Sequence, residues 1–421
     1  MHAAARARET NGKNARFASR GKQDFRVTLG LESSGQETSG LPTIAIGSQT
    51  IAVSAQGYSG QSIWNIAAGG VWQNFDNWDV PGGLPGVDCA LSVNDMATFG
   101  NGPSGQTTVR LDGANPVLTA LTFSSSSASY SQIPGSGGGF TLGTASGPAS
   151  VTTTAGSHVV SAAVALARAT SVSTAAGTAL TLSGAVSGSN GMTKSGAGEL
   201  SIAGIGSLTG PTTVNAGTLR VNGAIADSSV SVAAGATLTG SGTVGDTTVA
   251  GTHTPGNSPG VPKVDGSLTY EAGSNVIWEL INDTVSGRGT NFDGIDVTGA
   301  LDFLGATSLD LVFNLPGSGV NWSDSFWASS HTGTNGWLIY DGASSLAGFS
   351  NLTISGSNWA DGSGAMLQTV RNGANFGLHQ EGNDVYLVYA VPEPSTLAIL
   401  TAGLLIMGLR LHRQSRLNRP C

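Results

Sequence analysis

Cleaving a polysaccharide calls for paired carboxylates, or a carboxylate beside a cation, and the middle of this 421-residue chain holds few of either. Across 113–262 the charged side chains are Arg168, Lys194, Glu199, Arg220, Asp227 and Asp246. Lys194 and Glu199 are near enough in sequence to pair, but no two acids are neighbours, so we expect no enzyme. A polysaccharide-degrading enzyme whose acids are brought together by stacking is the alternative. Two glycine motifs invite chemistry and lose it in context. "GNSPG" at 256–260 spells a nucleophile elbow, yet Pro259 and Pro262 oppose the helix that must follow, which makes Ser258 a turn residue. "GSGTVG" at 240–245 has the spacing of a phosphate-binding loop but runs into "DTTVAG", a strand.

Asp76, Asp79, Asp88 and Asp95 lie among Trp64, Trp72 and Trp78. Flat indoles stack on pyranose rings and carboxylates hold calcium, so this region is a candidate glycan-contacting or calcium-dependent module. No D-x-D-x-D-G loop is present, and the preferred reading is that the tryptophans cap an open end while the acids solubilise loops. Asp293 and Asp296 in "NFDGID" are read the same way. His158, His253, His331 and His379 are isolated, and Cys89 and Cys421 stand at opposite ends of the chain. Neither a metal, a cofactor nor a disulfide framework is expected.

The elements that must position these residues are strands. Only 10% of residues are charged and 63 are Gly, the balance of a β-structure rich in turns. Ala-Gly pairs followed by alternating apolar residues recur at Ala155, Ala176, Ala197, Ala216, Ala234, Ala250 and Ala272, at intervals of 16 to 22 residues, as in "AGTALTLSG" and "AGTLRVNG". That is about one coil of a solenoid, with glycine at a positive-φ corner and alternate Leu, Val and Ile pointing inward. The fold expected is all-β: a right-handed parallel β-helix over 146–262, six rung intervals and about 30 Å long at ~4.8 Å per rung. β-rich regions flank it at 56–145 and 263–390. Residues 1–55 read as disordered or as a miscalled start, with a degenerate export signal in "LPTIAIGSQTIAVSAQG".

Charge is polarised along the chain. Seven basic residues precede Val27 and four follow Leu409, leaving seven for everything between, against 24 of the 26 acids. So acidic a body offers no basic stripe to nucleic acid.

"SGAVSGSNGMTKSGAGELSIAGIGSLTGPTTVNAGTLRVNGAI" resembles the autotransporter-associated β-strand repeat, with Lys194, Gly196, Gly198, Leu200, Gly210, Thr212, Val214, Gly217 and Leu219 in its characteristic places. "THTPGNSPGV" is similar to the turn that closes such passengers. An autotransporter ends in a membrane β-barrel, and the sequence after Val391 is too short for one.

"VPEPSTLAILTAGLLIMGLRLHRQSR", at 391–416, instead resembles a PEP-CTERM sorting signal. Val391, Pro392, Glu393, Pro394 and Ser395 form the motif, 397–409 an apolar run, and Arg410, Arg413 and Arg416 the basic end. The resemblance implies sorting by exosortase in a Gram-negative bacterium that makes exopolysaccharide. The arginines hold their side in the cytoplasm, which places the body outside the inner membrane, at the surface or in the extracellular matrix. A helix over 397–409 spans about 20 Å, short of the ~30 Å hydrocarbon core, which suits a transient membrane stay before cleavage. The function expected is that of a secreted structural or adhesive protein associated with exopolysaccharide or biofilm.

Overall fold

The computed structural model describes residues 60–66, 68–79, 83–87, 95–100, 104–144 and 147–392. The expectations for residues 1–55, and for the helix at 397–409, lie outside these.

Alternating side chains set the architecture. In Met192–Ser195, Glu199–Ile202 and Thr212–Val214, residues two apart point to the same side, and the apolar set turns inward. Through the middle of the chain most strands pair in parallel with the strand three places on, so the chain winds as a coil with three faces. Two faces are uninterrupted twelve-stranded sheets, and the third is a five-stranded sheet followed by a seven-stranded one. This is the expected β-helix.

The coil runs well beyond the repeat. Its first face begins at Gln61–Ile63 and ends at Ser345–Ala347, crossing both flanks without a break. Twelve rungs at ~4.8 Å make a rod of about 50 Å, where the Ala-Gly count gave about 30 Å. The flanks hide the coil because their connections vary: a long arm separates Asn275–Glu279 from Ile295–Val297, and another separates Thr307–Val312 from Trp337–Asp341. Irregular arms erase the period but leave the pairing intact.

Inside, like residues stack on like. Val151, Val172, Lys194, Val214, Val232 and Val249 form one register column, and Leu180, Leu200, Leu219 and Leu238 another. Glycine serves two purposes between the columns. Gly196 takes φ of 72° at a corner, whereas Gly210 has an ordinary φ and is required because a Cβ there would run into the Asn190 carbonyl of the preceding rung.

Both ends are closed by aromatics. Trp64, Trp72, Trp78 and Phe99 pack at the first rungs, and Phe313, Trp322, Trp327, Trp337, Phe376 and Tyr389 at the last. At the latter end the parallel pattern stops. Trp337–Asp341 pairs antiparallel with Asp384–Ala390, which pairs antiparallel with Asn375–Glu381. The helical content among the described residues is short: Leu367–Val370 and four 3-10 turns.

Candidate functional site

The segment with a sorting signature begins at the end of this hairpin, with Val391 and Pro392 its described residues. Val385, Leu387 and Tyr389 alternate inward and are fully buried. The Tyr389 hydroxyl donates to Trp327 O at 3.1 Å, and the Tyr389 and His331 backbones exchange hydrogen bonds of 2.8 and 2.9 Å. The His331 ring stacks on Phe326 at 4.1 Å, and burial lowers its pKa, so it sits there as a neutral packing group. The hold continues past the strand. Val391 N donates to Ser330 Oγ at 2.9 Å, and Pro392 lies so close to Gly373 that a Cβ on that glycine would sit 2.7 Å from Pro392 Cγ. Glu393, Pro394, Ser395, Arg410, Arg413 and Arg416 lie outside the described residues. Among the described residues no helix is long and apolar enough to cross a membrane.

In the tryptophan region, burial favours the cap, the preferred reading, over the sugar platform. Trp64, Trp72 and Trp78 are 2, 0 and 1% exposed. Trp64 meets Trp78 edge-on at 5.1 Å, Trp72 meets Trp78 at 4.7 Å, and Trp72 and Trp78 donate their indole N–H groups to Pro85 O and Trp72 O. No ring face is left for a sugar, so these three are a cap and not glycan contacts. Two of the nearby acids are engaged with backbone: Asp79 accepts from Ile63 N at 2.6 Å and Asp95 from Gly86 N at 2.7 Å, while Asp88 lies outside the described residues.

The structure also re-pairs the charges of the repeat. Glu199 holds Arg220 through two bonds of 3.1 and 3.2 Å from the neighbouring rung, not Lys194. Lys194 is fully buried within the valine column, where its ammonium donates to Ser195 O, Gly196 O and Ala216 O at 2.8, 2.8 and 3.1 Å. Desolvation brings its pKa down to about 8. Three donors meeting three carbonyls at one corner make it a rung-to-rung tie.

The turn at 256–260 is pinned from two sides. Outside, the Asn257 side chain accepts from Arg220 and donates to Asn222 Oδ1 and Ser241 Oγ, at 2.9 to 3.0 Å, linking successive rungs. Beneath, Asp293 is fully buried and accepts Gly260 N at 2.8 Å and Glu279 N at 3.0 Å. Asp293 therefore does not solubilise a loop as its sequence context implied. Burial pushes its carboxyl up to about 8, Glu279 is raised for the same reason, and the Ser258 hydroxyl hydrogen-bonds Glu279. No helix follows Ser258; the next element is the strand Lys263–Val264, as expected for a turn. This buried pair had no sequence signal, because the register that brings 279 and 293 together depends on the arm between them.

Outside, the first face carries hydroxyls in register. Ser150, Ser171, Thr193, Thr213, Ser231, Thr248 and Thr269 occupy successive rungs of one outward column, with Thr122, Thr152, Ser173 and Ser195 in a second column beside it. A shallow groove of about 370 Å³ lies over part of it, lined by Pro148, Ala149, Ser150, Ala169, Thr170, Ser171 and Thr193. This surface can give and accept many neutral hydrogen bonds at a fixed spacing.

Comparison with known families adds two matches. Residues 192–221 match the passenger-associated-transport-repeat, and residues 390–414 match the PEP-CTERM protein-sorting motif. No curated protein matches the chain. The sorting motif implies recognition by exosortase, export, and membrane-anchored processing in a Gram-negative bacterium.

Proposed function

We propose that this exosortase-sorted coil is a non-enzymatic structural protein of the cell surface or extracellular matrix, adhering to exopolysaccharide through the hydroxyl columns of its first face. The observation that carries the reading is the in-register run of seven Ser and Thr residues, repeated at ~4.8 Å, on a rod bearing a sorting motif. A hydroxyl hydrogen bond exchanged with water contributes only about 0.5–1.5 kcal/mol. Adhesion must therefore come from many weak bonds made together, and a rigid repeat provides them at fixed intervals. The buried state of Glu279 and Asp293 favours this reading over a polysaccharide-degrading one, since neither carboxyl is open to a polymer.

Co-sedimentation of the secreted protein with exopolysaccharide from its own host tests the reading. Ser171→Ala, Thr193→Val and Thr213→Val together add no bulk to that face and remove its hydroxyls, so the bound fraction should fall while the melting temperature stays. Shortening of the polymer during incubation would reject the non-enzymatic role, and undiminished binding by the triple variant would reject the face.

A further inference from the structure

The sorting motif and the folded body share residues. The family match begins at residue 390, and Ala390 is the last residue of the strand Asp384–Ala390, still in register with Asn375 of the neighbouring strand. The next two residues are also part of the fold: Val391 N is held by Ser330 Oγ, and Pro392 is seated against Gly373, whose φ of 80° and missing Cβ make the seat available. From Pro392 to Leu397, where the apolar run starts, the chain advances five residues, which even fully extended reach about 17 Å. While that run is in the bilayer, an enzyme working on the motif meets the end of the rod as well.

The end of the rod is suited to such a meeting. Ser330, Asn372, Asn375, Ala390 and Pro392 are exposed around the exit, and the neighbouring Arg371 is turned onto the backbone carbonyls of Trp322, Ser323 and Asp324, so neutral side chains able to hydrogen-bond a docked partner border the point where the chain leaves the body. We propose that this rim is a positioning platform: Ser330 and Gly373 fix where Pro392 leaves the body, and exosortase seats on the rim to act on the residues that follow. The inference rests on the reading that the tail is an exosortase substrate.

The test is processing of the full chain in its native host, followed by mass spectrometry of the C-terminus over time. Inserting six Gly and Ser residues between Pro392 and Glu393 leaves every described contact in place and detaches the motif from the rim. Processing should slow several-fold with no change in the melting curve; equal rates for parent and insertion overturn the platform. Gly373→Ala supplies the second arm, because its Cβ displaces Pro392. It should slow processing of the parent and have no further effect in the insertion background, whereas an equal effect in both means damage to the fold and again overturns the platform. Should the parent itself keep Cys421, with Pro394→Ala changing nothing, the sorting premise fails and the platform with it. That outcome is distinguishable because parent, insertion and point variant would then all be unprocessed.

Discussion

Shifted ionisable groups give the body a pH profile that can be worked out by sign. Asp293, raised from 3.8 to about 8, keeps its proton in the fold over an interval in which the unfolded chain has lost it. Stability therefore falls as pH rises through that interval, and Glu279, also raised, acts the same way. His253, lowered from 6.5 to about 4, does the opposite between those values, as do the lowered His158 and His331. The acid-side effects thus oppose one another, and a net fall is left between about 6.5 and 8. Lys194, lowered from 10.5 to about 8, is protonated only in the unfolded chain between those values, so stability recovers as pH rises across them. We expect a melting temperature that drops from pH 6.5 to 8 and climbs again above it. Asp293→Asn should flatten the first limb, and a limb that survives this change would remove Asp293 as its cause. Lys194→Met should flatten the second. It also strands the carbonyls of Ser195, Gly196 and Ala216, which lie at a half-exposed corner where water can partly replace the ammonium, so we expect a loss of about 1–2 kcal/mol in denaturant unfolding.

At the scale of elements, the rungs depend on contacts that a single residue can block. Gly210 lies where a Cβ meets the backbone of residue 190, and neither backbone can move without breaking the pairing of Met192–Ser195 with Thr212–Val214. Gly210→Ala should cost about 1–3 kcal/mol, as overpacking does, and speed amide exchange in those two strands first. An unchanged protein would mean that the rung spacing yields locally. The same contrast explains how far the sequence could be read. Between 155 and 251 one corner of each coil has an Ala-Gly and each coil a similar length, so the period itself announces the fold. At Glu279 and Ile295 the coil continues with the same inward alternation, but an arm of variable length intervenes, and only the hydrogen-bond register shows that these strands belong to it. The site divides in the same way. The sorting motif is local in sequence and was legible, whereas its clamp joins Val391 to Ser330 and Pro392 to Gly373, pairs that no spacing rule relates. Trp64, Trp72 and Trp78 were found by type, and their burial decided between cap and sugar platform.

The whole molecule is a stack in which each rung touches mainly its neighbours, so its stability is a sum of local interfaces and its weakest points are the ends. An open parallel edge presents unpaired backbone groups to any passing strand. At the first rung the edge strands Gln61–Ile63 and Gly70–Val71 are very short, and the Trp64, Trp72 and Trp78 cage packs around them. At the last, the chain turns antiparallel and the aromatic cluster fills the end before the tail departs. This arrangement opposes end-to-end growth at either edge. Trp72→Ala removes a fully buried ring that also donates to Pro85 O, a loss of about 3–5 kcal/mol at that site. Nearest-neighbour coupling confines the damage. Amide exchange should quicken in Gln61–Ile63, Gly70–Val71 and Gly105–Arg110, while Glu199–Ile202 and Gly217–Val221 keep the protection of the parent. Uniform loss of protection along all twelve rungs would show instead that the rod unfolds as one cooperative unit and that its caps guard the whole coil.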